Sequence, residues 1–141
     1  MSFREKSAWI TLVSTFAIFA GYFVLVGSPV LKGGSDLTVF IGPLVGAVTL
    51  LIGLQILLAA ATAVMDPKAS RERPDERERM IGSQAGLAGF YTLQAGAFFA
   101  VTTALWRPDP AIIANAVLLA MAVAEIARSC FTVAGFHRAA S

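Results

Sequence analysis

The stretch LTVFIGPLVGAVTLLIGLQILLAAATAVM, residues 37–65, decides the fold because it contains no Asp, Glu, Lys or Arg. About 20 apolar residues in a helix cross a hydrocarbon core of roughly 30 Å. Three further apolar runs, each at least that long, surround it in the sequence: 8–27, 80–106 and 111–136. The sequence therefore predicts a polytopic membrane protein whose main solvent is lipid.

The composition fits this class and excludes several others. The chain is 57% hydrophobic and 14% charged, whereas a soluble domain is about 25% charged. The net charge of +2 does not indicate nucleic-acid binding, because the bases lie at the ends of the apolar runs, where membrane orientation explains them. The single cysteine, Cys130, excludes an internal disulfide and is expected to be a buried thiol. With one histidine, His137, we expect no metal and no cofactor.

The fold expected is all-α, with four transmembrane helices in an antiparallel bundle. A single transmembrane domain, 1–141, would contain helices at about 8–27, 37–65, 78–106 and 110–136 and a charged cytoplasmic loop at 66–77. The link at 107–110 is so short that the third and fourth helices must form an antiparallel hairpin.

The distribution of basic residues sets the orientation. Nine of the eleven Lys and Arg precede the first helix, lie between the second and third, or lie in or after the last part of the fourth. The positive-inside rule therefore places both termini and the 66–79 loop in the cytoplasm. Trp9 and Trp106 are placed as interfacial anchors at opposite membrane faces.

The charged segment before the third helix contains a helix-start signal. Asp75 is the expected N-cap, and Glu78 three residues later completes a capping-box variant. Most such segments are solvated connectors, and the alternative is a docking surface for a cytoplasmic partner. The candidate docking residues are Asp75, Glu76, Arg77 and Arg79.

Small residues form stripes that allow helices to approach closely in lipid. The stripe on the third helix is Gly82, Gly86, Gly89 and Gly96, and that on the second is Gly42, Gly46 and Gly53. Either stripe packs within one bundle or forms a seam with a second copy or a larger membrane complex.

Polar side chains from all four helices are expected near one mid-membrane layer. Counted from the cytoplasmic helix ends, they lie about 12–21 Å deep. The candidate intramembrane polar site is Glu125, Arg128, Gln55, Gln94, Tyr91 and Tyr22.

Glu125 is the most informative of these residues, because an ionisable group inside a membrane indicates function by default. In one interpretation it pairs with Arg128, three residues later on the same helix. In the other it binds a proton or a cation at a coupling site. Both interpretations stay open from the sequence.

No catalytic motif accompanies these residues. The sequence lacks a phosphate-binding loop, a dinucleotide fingerprint and a nucleophile elbow. We therefore expect no enzyme and assign no catalytic residue.

The segment Asp75-Glu76-Arg77-Glu78, before the third helix, resembles the Asp-Glu-Arg-(Asp/Glu) motif of an uncharacterised family of small bacterial four-helix inner-membrane proteins. The opening at residues 3–9 and the Glu125-x-x-Arg128 pattern are also similar to members of that group. The resemblance implies the four-helix fold and the bacterial cytoplasmic membrane, and transfers no catalytic residue.

The function expected is that of a non-enzymatic accessory or interaction protein, packing against itself or a larger membrane partner within the lipid bilayer. The alternative is a dimeric proton-coupled small-molecule transporter that uses Glu125. An enzyme acting on lipid is a third class, with no nucleophile and base to support it.

Overall fold

Four long α-helices form the part of the chain that the structure describes. The computed structural model describes residues 3–31, 37–65 and 75–138. The helices are α1 (Phe3–Leu31), α2 (Leu37–Met65), α3 (Glu76–Trp106) and α4 (Pro110–Arg138). Each is long and apolar enough to cross a membrane, which indicates an all-helical, multi-pass membrane protein.

Three of the four helices extend beyond the limits expected from the apolar runs. α1 covers 3–31 instead of 8–27, α3 begins at Glu76 instead of 78, and α4 ends at Arg138 instead of 136. Hydropathy marks only the part of a helix that contacts hydrocarbon, while Glu, Lys and Arg, present at the starts of α1 and α3 and at the end of α4, continue a helix readily beyond it. Of the expected 66–77 loop, residues 76 and 77 belong to α3, and 66–74 lie outside the described residues.

The predicted cap at the start of α3 is present. The Asp75 side chain accepts a hydrogen bond from the backbone N–H of Glu76 at 2.7 Å. The Glu78 carboxylate accepts one from the Asp75 N–H at 3.4 Å, which completes the capping box. These contacts satisfy amides that would otherwise be left unpaired at the helix start.

Residues 107–109 alone connect α3 to α4. The Arg107 N–H donates to the carbonyl of Thr103 at 2.8 Å, closing the last turn of α3. The Asp109 carboxylate accepts from the N–H of Ala111 at 2.9 Å, and Pro110 occupies the first helical position, where its missing amide is not needed. The two helices therefore return along one another as a hairpin.

α4 is the central helix of the molecule. It contacts the other three, most extensively α3, and α1 packs on both α4 and α2. α3 makes at most a marginal contact with α1 or α2. The arrangement is thus more open than a closed bundle, with α3 exposed at one edge and α2 at the other.

The α3–α4 seam depends on glycines that allow close backbone approach. A Cβ placed on Gly96 would lie 2.5 Å from the Cβ of Ala120, and one on Gly89 would lie 3.1 Å from the Cβ of Arg128. A Cβ on Gly135 of α4 would similarly meet the Ile81 side chain at 2.7 Å. A side chain at Gly96 would push against the Cβ and Cα of Ala120, so the two helices would have to move apart, whereas at Gly89 and Gly135 the neighbouring atoms would have to give way.

A second cluster fills the space between α1, α2 and α4. Its buried members are Phe19, Tyr22, Val26, Phe40, Ala111, Leu118 and Ala122. Phe40 is the only buried residue of α2 among those whose side chains are described. The rest of α2 packs more loosely, through half-buried residues such as Leu44, Ala47 and Leu51.

We predict that Gly96→Ala lowers the free energy of unfolding by about 1–3 kcal/mol, because the added methyl group overlaps Ala120. Reversible unfolding in mixed micelles measures this difference. Gly82→Ala is the matched control on the same helix, since a Cβ at Gly82 meets nothing within 4 Å. Equal stability of the two variants would contradict the close α3–α4 seam.

Candidate functional site

Glu125 and Arg128 form an ion pair along one face of α4. The Arg128 Nε donates to Glu125 Oε2 at 3.1 Å, and its Nη2 donates to Glu125 Oε1. The Glu125 side chain is 32% exposed and that of Arg128 53%. Both carboxylate oxygens are engaged, so the carboxylate charge is neutralised locally. The geometry matches the interpretation in which the two residues pair.

Tyr22 joins α1 to α4. Its hydroxyl donates to Asn115 Oδ1 at 2.9 Å, and the Asn115 amide donates to the carbonyl of Ala111 at 2.8 Å. Tyr22 is 4% exposed, so this hydrogen bond lies inside the helix interface. It is a structural contact, remote in sequence from the Glu125 pair.

Gln55 plays a similar part between α2 and α1. Its Nε2 donates to the hydroxyl of Thr15 at 3.4 Å. Thr15 is fully buried. Gln55 therefore gives the Thr15 hydroxyl a hydrogen-bond partner that lipid could not provide. The structure thus places Gln55 in a contact between two helices and away from Glu125.

Tyr91 and Gln94 lie on the outer face of α3. Tyr91 is 65% exposed, and Gln94 is also exposed. Neither side chain makes a hydrogen bond with any described residue. The six residues expected in one polar layer are therefore distributed over four separate places.

Two of the grooves between the described helices are lined almost entirely by apolar side chains. The groove between α1 and α2, about 480 Å³, is lined by apolar side chains with Ser14 as its one hydroxyl. The groove between α3 and α4, about 250 Å³, is lined by apolar residues and Thr92. Neither groove is lined by an ionisable side chain, so neither holds a nucleophile and a base.

The expected glycine stripes divide between inner and outer surfaces. Gly89 and Gly96 contact α4, whereas Gly82 and Gly86 have nothing within 4 Å of an added Cβ. All three glycines of the α2 stripe, Gly42, Gly46 and Gly53, are likewise open.

The four candidate docking residues lie at the start of α3. Asp75, Glu76, Arg77 and Arg79 are all exposed. Asp75 is used for the cap, and the other three present alternating charges to solvent.

No group of three metal-ligating side chains occurs within the described ranges. Cys130 is exposed, which corrects the buried thiol expected from the sequence, because it lies on a face of α4 that none of the other described helices covers.

Asn115 and Thr15 complete two of the contacts, and the sequence analysis did not single them out. Asn115 is an isolated amide in an apolar run, which is a usable signal, since such residues commonly bond across membrane helices. Thr15 carries no such signal, because hydroxyl residues in membrane helices often bond their own backbone.

No protein-family model, curated protein or solved structure matches this chain.

We predict that Tyr22→Phe lowers the free energy of unfolding by about 0.5–1.5 kcal/mol, because the Asn115 carbonyl loses its donor. Tyr91→Phe is the matched control, since that hydroxyl has no partner within the described chain. In an Asn115→Leu background, Tyr22→Phe should have almost no further effect. A full loss retained in that background would show that the hydrogen bond contributes nothing.

Proposed function

We propose that this protein is a non-enzymatic membrane interaction protein whose third helix docks against a helix of a second copy. The observation that supports this most is a stripe on the exposed face of α3 that combines polar, aromatic and apolar residues. A larger membrane partner is the other occupant that the same face would accept.

The stripe has the spacing of a helix–helix seam. Its residues alternate at intervals of three and four: Gln84, Leu87, Tyr91, Gln94, Phe98, Val101 and Leu105. A repeat of 3.5 residues keeps such a set on one side of two helices that supercoil left-handedly. The five apolar and aromatic members are each more than half exposed, and they face away from the seam with α4.

Lipid is a poor environment for two amides and a phenol. Gln84, Tyr91 and Gln94 have no hydrogen-bond partner among the described residues, and hydrocarbon offers none. A bond across a membrane helix interface contributes about 0.6 kcal/mol on average. A partner helix at this face would therefore be favoured by several weak hydrogen bonds together with side-chain packing.

A second copy fits the stripe by symmetry. In a twofold pair with its axis along the membrane normal, equal depths face each other, so Gln94 meets the Gln94 of the other copy. A glutamine amide donates and accepts, which makes this contact self-complementary. The open α2 stripe at Gly42, Gly46 and Gly53 offers a second face for a larger assembly.

The location we propose is a bacterial cytoplasmic membrane, with both termini and the charged segment before α3 inside. The excess of Lys and Arg at that side supports the orientation, and the resemblance of residues 75–78 supports the source. The exposed charges at Glu76, Arg77 and Arg79 would then face the cytoplasm beside the docked helices.

Transport through Glu125 has less support. Its carboxylate accepts hydrogen bonds from Arg128. The other four candidate residues make no hydrogen bond to it. A coupling site needs the carboxylate free to exchange its partner, and no described groove is centred on it.

We predict that single cysteines at Leu87 or Phe98, in a Cys130→Ser background, form disulfide-linked dimers in native membranes. Ala97→Cys is the matched control: it is exposed on the same helix at nearly the same depth, but lies off the stripe. Quantitative crosslinking on non-reducing gels measures the difference.

The energetic counterpart is Gln94→Leu, which should weaken dimerisation about threefold to tenfold through loss of the amide pair. Equal crosslinking at 87, 97 and 98 would contradict the stripe. A chain that remains monomeric in mild detergent and crosslinks to nothing in membranes would refute the proposed function as a whole.

A further inference from the structure

A small polar groove lies between α1 and α4, near the ends that carry both termini. It is lined by Ser7, Ala8, Thr11, Arg128, Ser129 and Thr132, encloses about 180 Å³, and most of its lining surface is polar. Sites for drug-sized molecules are about 300–1,000 Å³. The groove therefore accommodates a small polar group, and it is distinct from the outer face of α3.

Ser129 provides an unused hydrogen-bonding group in this groove. The residue is only 4% exposed, and its hydroxyl bonds no described residue. The hydroxyls of Ser7 and Thr11 likewise bond no described residue, whereas Thr132 donates to the carbonyl of Arg128 at 2.9 Å. Since no buried side-chain oxygen among the described residues lacks a partner, the unbonded Ser129 hydroxyl opens onto the groove, where a ligand can reach it.

Arg128 supplies the charge at the groove. A guanidinium has five N–H donors, and Glu125 receives one from Nε and one from Nη2. Three donors remain. The stem of the side chain is held in place, since its Cβ and Cγ lie against Gly89 of α3. A fixed, forked cation beside hydroxyl donors matches the geometry of a phosphate oxyanion.

Two features indicate that the groove lies at the depth of lipid headgroups, shallower than the layer expected for Arg128 from the sequence. Trp9 falls in the turn of α1 between Ser7 and Thr11, and tryptophan concentrates at the membrane–water interface. One turn toward the helix end, His137 Nε2 lies 3.8 Å from Glu5 Oε1, where ionisable side chains indicate water. A phosphate in the groove would thus be level with the phosphates of the surrounding leaflet.

We propose that this groove binds the phosphate group of an anionic phospholipid. Basic sites between membrane helices recognise lipid headgroups in this way. Ser129, Ser7 and Thr11 would donate to the phosphate oxygens, and Arg128 would supply the countercharge. Glu125 orients the guanidinium and moderates its charge, so removing the Glu125 charge strengthens binding.

The test uses the full chain with Trp9→Phe, Trp106→Phe and Phe136→Trp, reconstituted with brominated phosphatidylglycerol or brominated phosphatidylcholine. Its only tryptophan then lies one turn beyond Thr132 on the same side of α4, whereas Trp9 lines the groove between α1 and α2. Quenching of the fluorescence of this tryptophan gives the relative binding constant of the two lipids at the groove. We expect phosphatidylglycerol to bind about fivefold more strongly, the effect of one base near the surface. Glu125→Gln should raise that preference further.

The decisive comparison is between two double variants of equal net charge. Glu125→Gln with Arg128→Gln replaces the ion pair by neutral amides and should abolish the preference. Glu125→Gln with Arg79→Gln removes a base outside the groove and should retain it. Ser129→Ala should reduce the preference while both charges stay in place.

Equal preferences in the two double variants would overturn the proposal, because a general surface charge would then explain the selectivity. Inorganic phosphate in the buffer separates the two possible sources of the oxyanion. If it changes the fluorescence of the tryptophan at position 136 in an Arg128-dependent way while the two lipids quench equally, the lipid occupant is refuted in favour of a soluble phosphate. These outcomes do not depend on whether α3 dimerises.

Discussion

Close backbone approach is the constraint on which this structure depends. In lipid, no hydrophobic drive brings apolar helices together, so packing and a few polar contacts must hold them. The α3–α4 seam meets this requirement through Gly89, Gly96 and Gly135, each of which lies close against a neighbour on the facing helix, most tightly at Gly96. Alanines continue the pattern along α4, with Ala120 toward α3 and Ala122 in the cluster with α1. The central position of α4 follows from having small residues on two faces.

The polar groups divide according to that packing. Where helices meet, each amide or phenol finds a partner: Tyr22 bonds Asn115, and Gln55 bonds Thr15. On the outer face of α3, Tyr91 and Gln94 have none within the described residues. The same chemistry that joins α1, α2 and α4 is therefore repeated on a surface that no described helix covers. This contrast, and not the presence of polar residues in itself, supports the packing of a further helix against α3. The groove at Ser129 is independent of that contact.

The sequence identified the four helices because length and hydropathy are sufficient for membrane spans, and it located the Asp75 cap because that motif is local. It did not identify the face that each helix buries. In a soluble helix, polar and apolar faces differ, but in lipid both faces are apolar, so periodicity says little about contacts. Depth along the helix therefore suggested one polar layer. The direction in which each side chain leaves its helix axis instead places Gln94 on the outer surface and Tyr22 between helices. Ser129 was missed for the same reason, since its burial depends on how α1 crosses α4.

A spin-label accessibility scan along α3 in reconstituted membranes tests the central claim most directly. Labels at successive positions from 82 to 105 report contact with dissolved oxygen, which is concentrated in lipid. We expect two protected faces, one at the α4 seam and one at 87, 91, 94 and 98, with accessible positions between them. A single protected face at Gly89 and Gly96, with maximal oxygen contact along 87–98, would show that lipid covers the stripe and would contradict the account.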